Sequence, residues 1–359
     1  MMGLLNSVRA DYLLYVGTYT GEKSKGIYAL RMDKQGKLTP LGLVAETPSP
    51  SFLAIHPNKK YLYAVNEKDN GMVTAFAIDA KTARLTQLNE QPSHGDGPCH
   101  VSLDKSGKTV MVANYNSGSI AAYPVQRDGR LGEAATKIQH QGSGGDPRRQ
   151  KGPHAHFITA DPANRYALVC DLGLDKVLIY RLDPTKASLT ANDPPFGVLK
   201  SASGPRHLAF HPQAPFVYVN NEMNSTMTVF NWDKTRGALE ELQTVSTLAG
   251  EAKGNSTAEI EIHPSGKFVY VSNRGHDSIA CYSIDPKSGR VSFIEHQSSG
   301  GKTPRNFAID PKGEFLISEN QGSNSVVVFR IDPSTGKLSP TGEKADVASP
   351  VCVKFLSVK

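Results

Sequence analysis

Basic and imidazole side chains are concentrated in one glycine-rich segment, GSGGDPRRQKGPHAH, which covers residues 142–156. Arg149 and Lys151 precede His154 and His156 in this segment. Such cations bind carboxylate or phosphate groups, and an imidazole often acts as a general base near neutral pH. The glycines do not join a strand pattern to a helix pattern, so a phosphate-cradling P-loop is not supported. The segment indicates an anion-binding loop, with a solvated surface cluster as the alternative.

Single arginine and glutamate residues occur further along the chain in short motifs. GPRH contains Arg206 and His207, NNE contains Glu222, and NRG contains Arg274. Arginine offers fixed donors to an anion or a developing oxyanion, and a carboxylate or imidazole can take a proton from water. No GxSxG, HExxH or Cys/His pattern accompanies them, so covalent serine and zinc-protease mechanisms have little support. These residue types favour a site for an anionic or carbonyl-bearing small molecule.

The elements that carry these motifs follow a repeat with turns 47 to 57 residues apart. In each unit a turn is followed nine residues later by Asn or Asp, with a β-branched and aromatic stretch between them. These segments are Pro57 to Asn66, Lys105 to Asn114, Pro162 to Asp171, Pro212 to Asn221, Pro264 to Asn273 and Pro311 to Asn320. Apolar strands precede and follow each segment, and a weaker fourth strand often follows a G-x-L or G-x-V signal. Four short antiparallel strands per unit are typical of a β-propeller blade.

The two ends of the chain supply a seventh unit. Residues 350–355 match the first strand of the repeat, and residues 12–17 and 26–32 supply the strands that this last unit lacks. The sequence therefore predicts an all-β, seven-bladed β-propeller in which the N- and C-terminal strands share the closing blade, which removes exposed sheet edges. We expect one domain over residues 11–358, with residues 1–10 as a flexible start or the remnant of a leader.

The repeat distinguishes the residues that maintain the fold from the residues that could form a site. A residue type found at one position in most blades is structural, so we interpret the Asn or Asp anchors, and His56, His211 and His263 before the turns, as turn residues. The start of the innermost first strand and the end of the second strand lie on one face of a meander. Polar residues there that occur in only one or two blades are expected to ring the channel mouth. They are His156, Arg206, Glu222, Arg274, Arg305 and Glu67, with His100, His207 and Glu259 one residue further along. An ion-pair ring that merely plugs the mouth is the alternative.

Composition excludes several other classes of protein. The 359 residues include 40 basic and 34 acidic side chains, a formal charge of +6, and no basic stripe interleaved with aromatics, so no nucleic-acid partner is expected. No run of 18 apolar residues occurs, so no membrane span is expected. The four cysteines lie far apart without CxxC spacing, and we interpret them as reduced core residues. The sequence predicts no cofactor and no metal, and it does not reveal the oligomeric state.

The combination of RQKGPHAH, CDLGLDKV, GPRH, NNE, NRG and the N-terminal YVGTYT resembles the seven-bladed lactonase family over residues 11–358. That family includes bacterial propeller-type 6-phosphogluconolactonases and fungal carboxymuconate cyclases. The resemblance implies hydrolysis of a sugar lactone, first of all 6-phospho-D-glucono-1,5-lactone to 6-phosphogluconate in the pentose phosphate pathway. Three alternatives stay open: an unphosphorylated gluconolactonase, a carboxymuconate cycloisomerase and a non-enzymatic binding platform.

The resemblance also implies a catalytic set. The family's proposed site uses a His of GPHAH, the Arg of PRH, the Glu of NE and the Arg of NRG. In this chain these are His154 or His156, Arg206, Glu222 and Arg274, and the turn register favours His156. We expect Glu222 or His156 to act as general base on water, and Arg206 with Arg274 to stabilise the oxyanion.

The remaining polar residues of the mouth and loop are expected to bind substrate, with the cations holding its phosphate. The predicted substrate-binding residues are His154, Arg305, Arg149, Lys151, His207 and Glu67. A small, anionic lactone is the expected partner, and a divalent metal route is the open alternative. A phosphorylated substrate and unpaired cysteines favour a location in the cytoplasm. The periplasm is the alternative if a native leader is missing from this sequence.

Overall fold

The chain folds into seven sheets, each of four antiparallel strands, in the computed structural model, which describes residues 12–250 and 253–358. The predicted all-β, seven-bladed propeller with four strands per blade is therefore confirmed. The flexible or leader character predicted for residues 1–10 concerns a segment outside the described residues. No helix in the described ranges is long and apolar enough to cross a membrane.

Each blade begins at the channel and ends at the outside of the ring. The first blade comprises β4 (Leu53–Ile55), β5 (Tyr61–Asn66), β6 (Met72–Ile78) and β7 (Leu85–Pro92). The second comprises β8 (Pro98–Leu103), β9 (Thr109–Asn114), β10 (Ser119–Pro124) and β11 (Thr136–Gln139). The third comprises β12 (Ala155–Ala160), β13 (Tyr166–Asp171), β14 (Lys176–Asp183) and β15 (Ser188–Val198).

The next three blades have the same order. The fourth comprises β16 (Pro205–Phe210), β17 (Phe216–Asn221), β18 (Thr226–Asp233) and β19 (Ala238–Ser246). The fifth comprises β20 (Ser256–Ile262), β21 (Phe268–Arg274), β22 (Ser278–Ile284) and β23 (Val291–Ser298). The sixth comprises β24 (Pro304–Ile309), β25 (Phe315–Asn320), β26 (Ser325–Ile331) and β27 (Leu338–Asp346), with a short 3₁₀ turn after β25 at Gln321–Ser323.

The seventh blade closes the ring as predicted, with strand order β28–β1–β2–β3. Its members are β28 (Pro350–Ser357), β1 (Tyr12–Thr18), β2 (Gly26–Met32) and β3 (Leu38–Glu46). Pairing of the C-terminal strand with the N-terminal strand runs from Tyr12 opposite Ser357 to Thr18 opposite Pro350. The two ends of the chain are thus joined in one sheet by main-chain hydrogen bonds.

The hydrophobic core lies between neighbouring blades. The glycine of the G-x-V signal shows how the blades meet: Gly289 has φ +70, and a Cβ there would lie 2.5 Å from the Phe216 ring of the preceding blade. Its carbonyl accepts a hydrogen bond from the buried Tyr218 hydroxyl at 2.8 Å. Only glycine combines this backbone conformation with so close an aromatic neighbour.

The histidines before the turns are turn residues, as predicted. The Nδ1 atom of His211 accepts the backbone N–H of Gln213 at 3.1 Å, while its Nε2 lies 2.9 Å from the Gly266 carbonyl in the next blade. The Asn anchors do more than hold a local turn, because Asn66 donates to the Pro48 carbonyl at 2.7 Å, in the segment that enters the blade. These repeated side chains hold the scaffold together.

Candidate active site

The rim residue of the first strand is a β-bulge in six of the seven blades. In five of them the register with the second strand skips one residue at the channel mouth, namely Cys99, His156, Arg206, Arg305 or Val351. In the fifth blade the irregularity leaves Ala258 and Glu259 opposite Ser272. A bulge turns the extra side chain out of the pleat. This local irregularity aims the predicted site residues of β12, β16 and β24 towards the channel.

Glu222 is the centre of the site. It directly follows β17, and its carboxylate is contacted by three guanidinium groups from three different parts of the chain. Arg206 Nε lies 3.0 Å and Arg274 Nη2 2.8 Å from Oε2, while Arg149 Nη2 lies 2.8 Å from Oε1. The side chains of Glu222 and Arg206 are only 9% and 3% exposed. Three of the four predicted catalytic residues thus form one buried cluster.

The charges of this cluster decide its ionisation. Burial alone would raise the pKa of Glu222, but Arg274, Arg206 and Arg149 together lower it to about 2. Burial and the neighbouring charges of Arg274 and Arg305 lower the pKa of Arg206 to about 10, so it remains protonated at neutral pH. Three cations against one carboxylate leave a positive surplus, which attracts anions to the mouth of the ring.

The predicted anion-binding loop delivers Arg149 to this cluster. Hydrogen bonds fix the conformation of the loop: the Asp146 carboxylate accepts the backbone N–H groups of Arg148 and Arg149, and the Gln150 side chain donates to Asp175. Arg149 also donates to the Tyr115 hydroxyl at 3.1 Å and is 44% exposed. The loop therefore places a half-exposed cation over the buried carboxylate. Lys151 is exposed at the surface of the loop.

A second polar chain lies on the other side of the mouth. Arg305 Nη2 donates to the Tyr19 hydroxyl at 2.8 Å, and this hydroxyl donates to both oxygens of Glu67 at 2.9 and 2.8 Å. Tyr19 was missed at the sequence level. Thr18 pairs with Pro350 as Asn221 pairs with Pro205, so Tyr19 occupies the same position in the closing blade as Glu222 in the fourth. Extending the repeat to the closing blade would have found it.

His156 faces the channel, as its register predicted, and is buried beneath the arginines. Its Nδ1 atom has no hydrogen-bond partner within the described part of the chain. Burial, followed by the charges of Arg206, His207 and Arg305, holds the pKa of His156 well below 6.5, so the imidazole is neutral at neutral pH. His154 lies outside this layer: its ring stacks on Tyr115, and its Nδ1 is 2.9 Å from the Tyr115 carbonyl oxygen.

One layer deeper, a second set of polar residues crosses the channel. The Nδ1 atom of His207 lies 2.8 Å from Glu259 Oε1, and its Nε2 atom lies 3.5 Å from Arg206 Nη1. Asn306 donates to the other Glu259 oxygen, and the Ile260 amide donates to Oε1. His207 is therefore behind Arg206 in the channel interior, whereas the sequence placed it among the substrate-binding residues of the mouth.

The opposite mouth of the channel opens into a cavity of about 540 Å³. Its lining includes Phe52, His100, Glu259, Glu261 and Lys354. Within residues 12–250 and 253–358 no group of three or more His, Cys, Asp or Glu side chains could hold a metal ion. All four cysteines are buried and unpaired.

Comparison with known proteins agrees with this architecture. The sequence model of the family described as "Lactonase, 7-bladed beta-propeller" matches residues 13–355. The chain belongs to this lactonase family. The chain is also 37% identical over 348 residues to a 6-phosphogluconolactonase of Bacillus subtilis, covering 96% of this chain and 98% of the relative.

Two further members of the lactonase family extend the comparison. A 6-phosphogluconolactonase of Formosa agariphila is 34% identical over 303 residues, covering 82% of this chain and 85% of the relative. The solved structure of a periplasmic gluconolactonase of Pseudomonas aeruginosa superposes with a TM-score of 0.91 at 35% identity, over 97% of this chain and 99% of that chain. The relatives thus comprise two 6-phosphogluconolactonases and one gluconolactonase.

Proposed function

We propose that this protein hydrolyses a sugar lactone, with 6-phospho-D-glucono-1,5-lactone as the preferred substrate and 6-phosphogluconate as the product. Membership of the lactonase family supports the reaction class. The observation that carries the assignment is the rim cluster, in which Arg149, Arg206 and Arg274 surround the buried Glu222 next to a neutral His156. This arrangement combines surplus positive charge with a proton acceptor, which suits attack of water on the carbonyl of an anionic ester.

His156 is the general base in this proposal. A base must be unprotonated at the working pH, and the low pKa of His156 keeps its imidazole neutral. Glu222 is also ionised, but three arginines occupy its oxygens, whereas the Nδ1 atom of His156 has no hydrogen-bond partner among the described residues. We therefore assign Glu222 to orienting the arginines.

Arg206 and Arg274 stabilise the oxyanion. Water oxygen bonds to the lactone carbonyl carbon while its proton passes to His156, and negative charge develops on the carbonyl oxygen. The guanidinium groups are already held in place by Glu222, so they can stabilise this charge without reorganising. Preorganised donors of this kind contribute strongly to stabilising a transition state. The ring C–O bond then breaks, and its oxygen takes a proton back from His156.

The phosphate of the substrate is assigned to the cations at the edge of the cluster. Arg149 is half exposed and contacts Glu222 through a single nitrogen, so its guanidinium retains donors for an anion. Arg305 lies across the mouth, and Lys151 lies at the surface of the same loop as Arg149. His154 and Glu67 are assigned to the sugar hydroxyls, because both lie beside tyrosines at the rim.

A direct assay tests the proposal. The purified chain would be supplied with 6-phosphogluconolactone, unphosphorylated gluconolactone and carboxymuconate, each with and without a chelator. We expect the highest kcat/KM for the phosphorylated lactone and no effect of chelation. Preference for gluconolactone, the substrate in the name of the Pseudomonas relative, would overturn the phosphate assignment. Turnover of carboxymuconate alone would assign cycloisomerisation instead, and no turnover of any substrate would leave a binding platform.

Compartment and partners follow from the substrate. A phosphorylated sugar lactone is an intracellular metabolite, and buried, unpaired cysteines are compatible with a reducing compartment. We therefore assign the protein to the cytoplasm, with a small-molecule lactone as its partner and neither a nucleic acid nor a membrane. Cell fractionation tests this assignment, and recovery in a periplasmic fraction would overturn it.

A further inference from the structure

Lactone hydrolysis leaves a proton behind in every turnover. Water adds to the carbonyl, the ring oxygen leaves as a hydroxyl, and the carboxylic acid that forms ionises at neutral pH. The mouth where this happens is lined by the cations of Arg149, Arg206, Arg274 and Arg305. Positive charge at the mouth opposes the release of a proton there, so an acceptor inside the channel offers the proton another way out.

The channel interior holds such a chain of acceptors. A void of about 10 Å³, the size of a single water, is lined by both His156 and His207, whose ring centroids lie 5.2 Å apart. His207 Nδ1 is 2.8 Å from Glu259 Oε1, and Glu259 lines the cavity that opens at the opposite mouth. One water-sized void, one imidazole and one carboxylate therefore lie between the general base and the cavity on the far side of the ring.

We propose that His207 and Glu259 form a proton exit path, which carries the proton released by lactone hydrolysis from His156 through the channel to the opposite mouth. The proposal rests on the lactonase function assigned above. After His156 has returned the water proton to the ring oxygen, the new carboxylic acid gives its O–H proton to His156. His156 passes this proton through one water to Nε2 of His207, and the Nδ1 proton of His207 moves to Glu259. Glu259 then releases its proton to water in the cavity of about 540 Å³. No bond other than these N–H and O–H bonds is made or broken.

The charges around Glu259 suit a transient acceptor. Burial raises the pKa of Glu259 to about 7, although the cations of Lys354 and Arg206 act in the opposite direction. Glu261 faces the same cavity, and burial also raises its pKa to about 7. Burial likewise raises the pKa of Glu319, which lies near Lys354. A carboxyl group that titrates near neutrality both accepts and releases a proton at the working pH.

His207 suits a relay for a different reason. Burial and the charges of Arg206, Lys354 and Arg305 hold its pKa well below 6.5. His100 packs against it with ring centroids 5.5 Å apart, and burial, together with the cations of Lys354 and Arg206, holds the pKa of His100 well below 6.5 as well. A proton that enters His207 is therefore passed on to Glu259 and is not stored.

The experiment replaces His207 by Gln in the full chain and measures kcat and KM with the lactone that the wild-type protein hydrolyses best. We expect kcat to fall by about tenfold to a hundredfold with KM within about twofold, because proton transfer and not binding is impaired. Imidazole added at constant ionic strength should restore kcat, since the open cavity admits this small buffer to Glu259. The matched control is His100→Gln, which removes an imidazole of the same cavity that has no bond to Glu259. It should keep kcat and show no response to imidazole.

Glu259→Asp provides a second variant should His207→Gln fail to fold. It keeps the charge but withdraws the carboxylate from His207, and the same loss and rescue are expected. A folded variant with full kcat, or one whose lost kcat does not respond to imidazole, would overturn the path and leave the pair a structural role. Inactivity of the wild-type protein on every lactone would instead overturn the proposed function on which the path rests.

Discussion

Arg149 reaches across the mouth of the ring and places Nη2 2.8 Å from Oε1 of Glu222, 73 residues further along the chain. The longest loop between blades is thereby tied to the carboxylate at the centre of the site. Because this arginine is half exposed while its two companions are buried, it is the member of the cluster that can turn towards a ligand.

Arg149→Ala should raise KM for the phosphorylated lactone by about tenfold to a hundredfold, the loss expected for a hydrogen bond between charged groups. The KM for gluconolactone should change little, because it has no phosphate to bind. Steady-state kinetics on both lactones measure the difference. Arg148→Ala is the matched control, since this neighbour is 88% exposed and contacts only Asp146. Equal changes for the two lactones would contradict the phosphate assignment.

Arg274→Ala should lower kcat by about a hundredfold to a thousandfold, the usual cost of losing one preorganised oxyanion donor. Arg274 also donates to the Thr257 carbonyl at 2.8 Å, so its orientation is fixed as well as its charge. Arg274→Lys keeps the charge without the fork of donors and should recover only part of the rate. Single-turnover rates would measure the chemical step, and near-normal rates in both variants would remove Arg274 from the mechanism.

Glu222→Gln should destabilise the fold by about 3–5 kcal/mol, because it leaves buried guanidinium groups without their counter-charge. Lactone turnover should be lost as well, since the arginines lose the group that orients them. Chemical denaturation together with the lactone assay would show both effects. Glu240→Gln on the exposed face of β19 is the control and should change neither. Normal stability with full activity would show that the arginines do not depend on Glu222.

The pH dependence of kcat/KM should reveal the low pKa of His156. The neutral imidazole is the active form, and its pKa in the folded protein is well below 6.5. As the pH falls, kcat/KM should therefore stay level through 6.5 and decrease only under more acidic conditions. Initial rates corrected for spontaneous hydrolysis measure this profile, with the exposed His94→Gln variant as a control. An acid limb at or above pH 6.5 would contradict the assignment of His156 as the base.

Glu261→Gln should stabilise the protein relative to wild type more at pH 8 than at pH 5. Burial raises the pKa of Glu261 to about 7, so the folded state favours the protonated form, and wild-type stability falls as the pH rises from about 4.5 through 7. The glutamine amide never ionises, and its oxygen can still accept the Ile309 N–H. The variant therefore avoids this pH-dependent loss of stability, which is about 1–3 kcal/mol. Urea denaturation at the two pH values measures the difference. The exposed Glu314→Gln variant is the control, and equal differences at both pH values would refute the expectation.

Some of the site followed from local sequence. Arg206, Arg305 and His156 were placed at the mouth because the repeat fixed their distance from the turns, and the same counting, carried into the closing blade, leads to Tyr19. The register also favoured His156 over His154, but the choice stayed open until the structure showed His156 at the bulge position that Arg206 and Arg305 occupy in their own blades.

Other features of the site depend on contacts that the sequence does not contain. The ionisation of Glu222 depends on three arginines that approach from different blades and a loop, whereas the sequence left the general base open between Glu222 and His156. His207 was placed at the substrate because nothing local distinguishes the rim from the layer below it. Its partner Glu259 is 52 residues away.

The sequence by itself determined the number of blades, the strand order and the residues at the start of each first strand, because alternation and turn chemistry act over a few residues. Only the closed ring decided which charges meet, how deeply they are buried and therefore which are ionised. Coulomb energy depends on the distance between charges, and desolvation depends on their solvent exposure. For residues far apart in the chain, both the distance and the exposure are set only in the folded, closed ring.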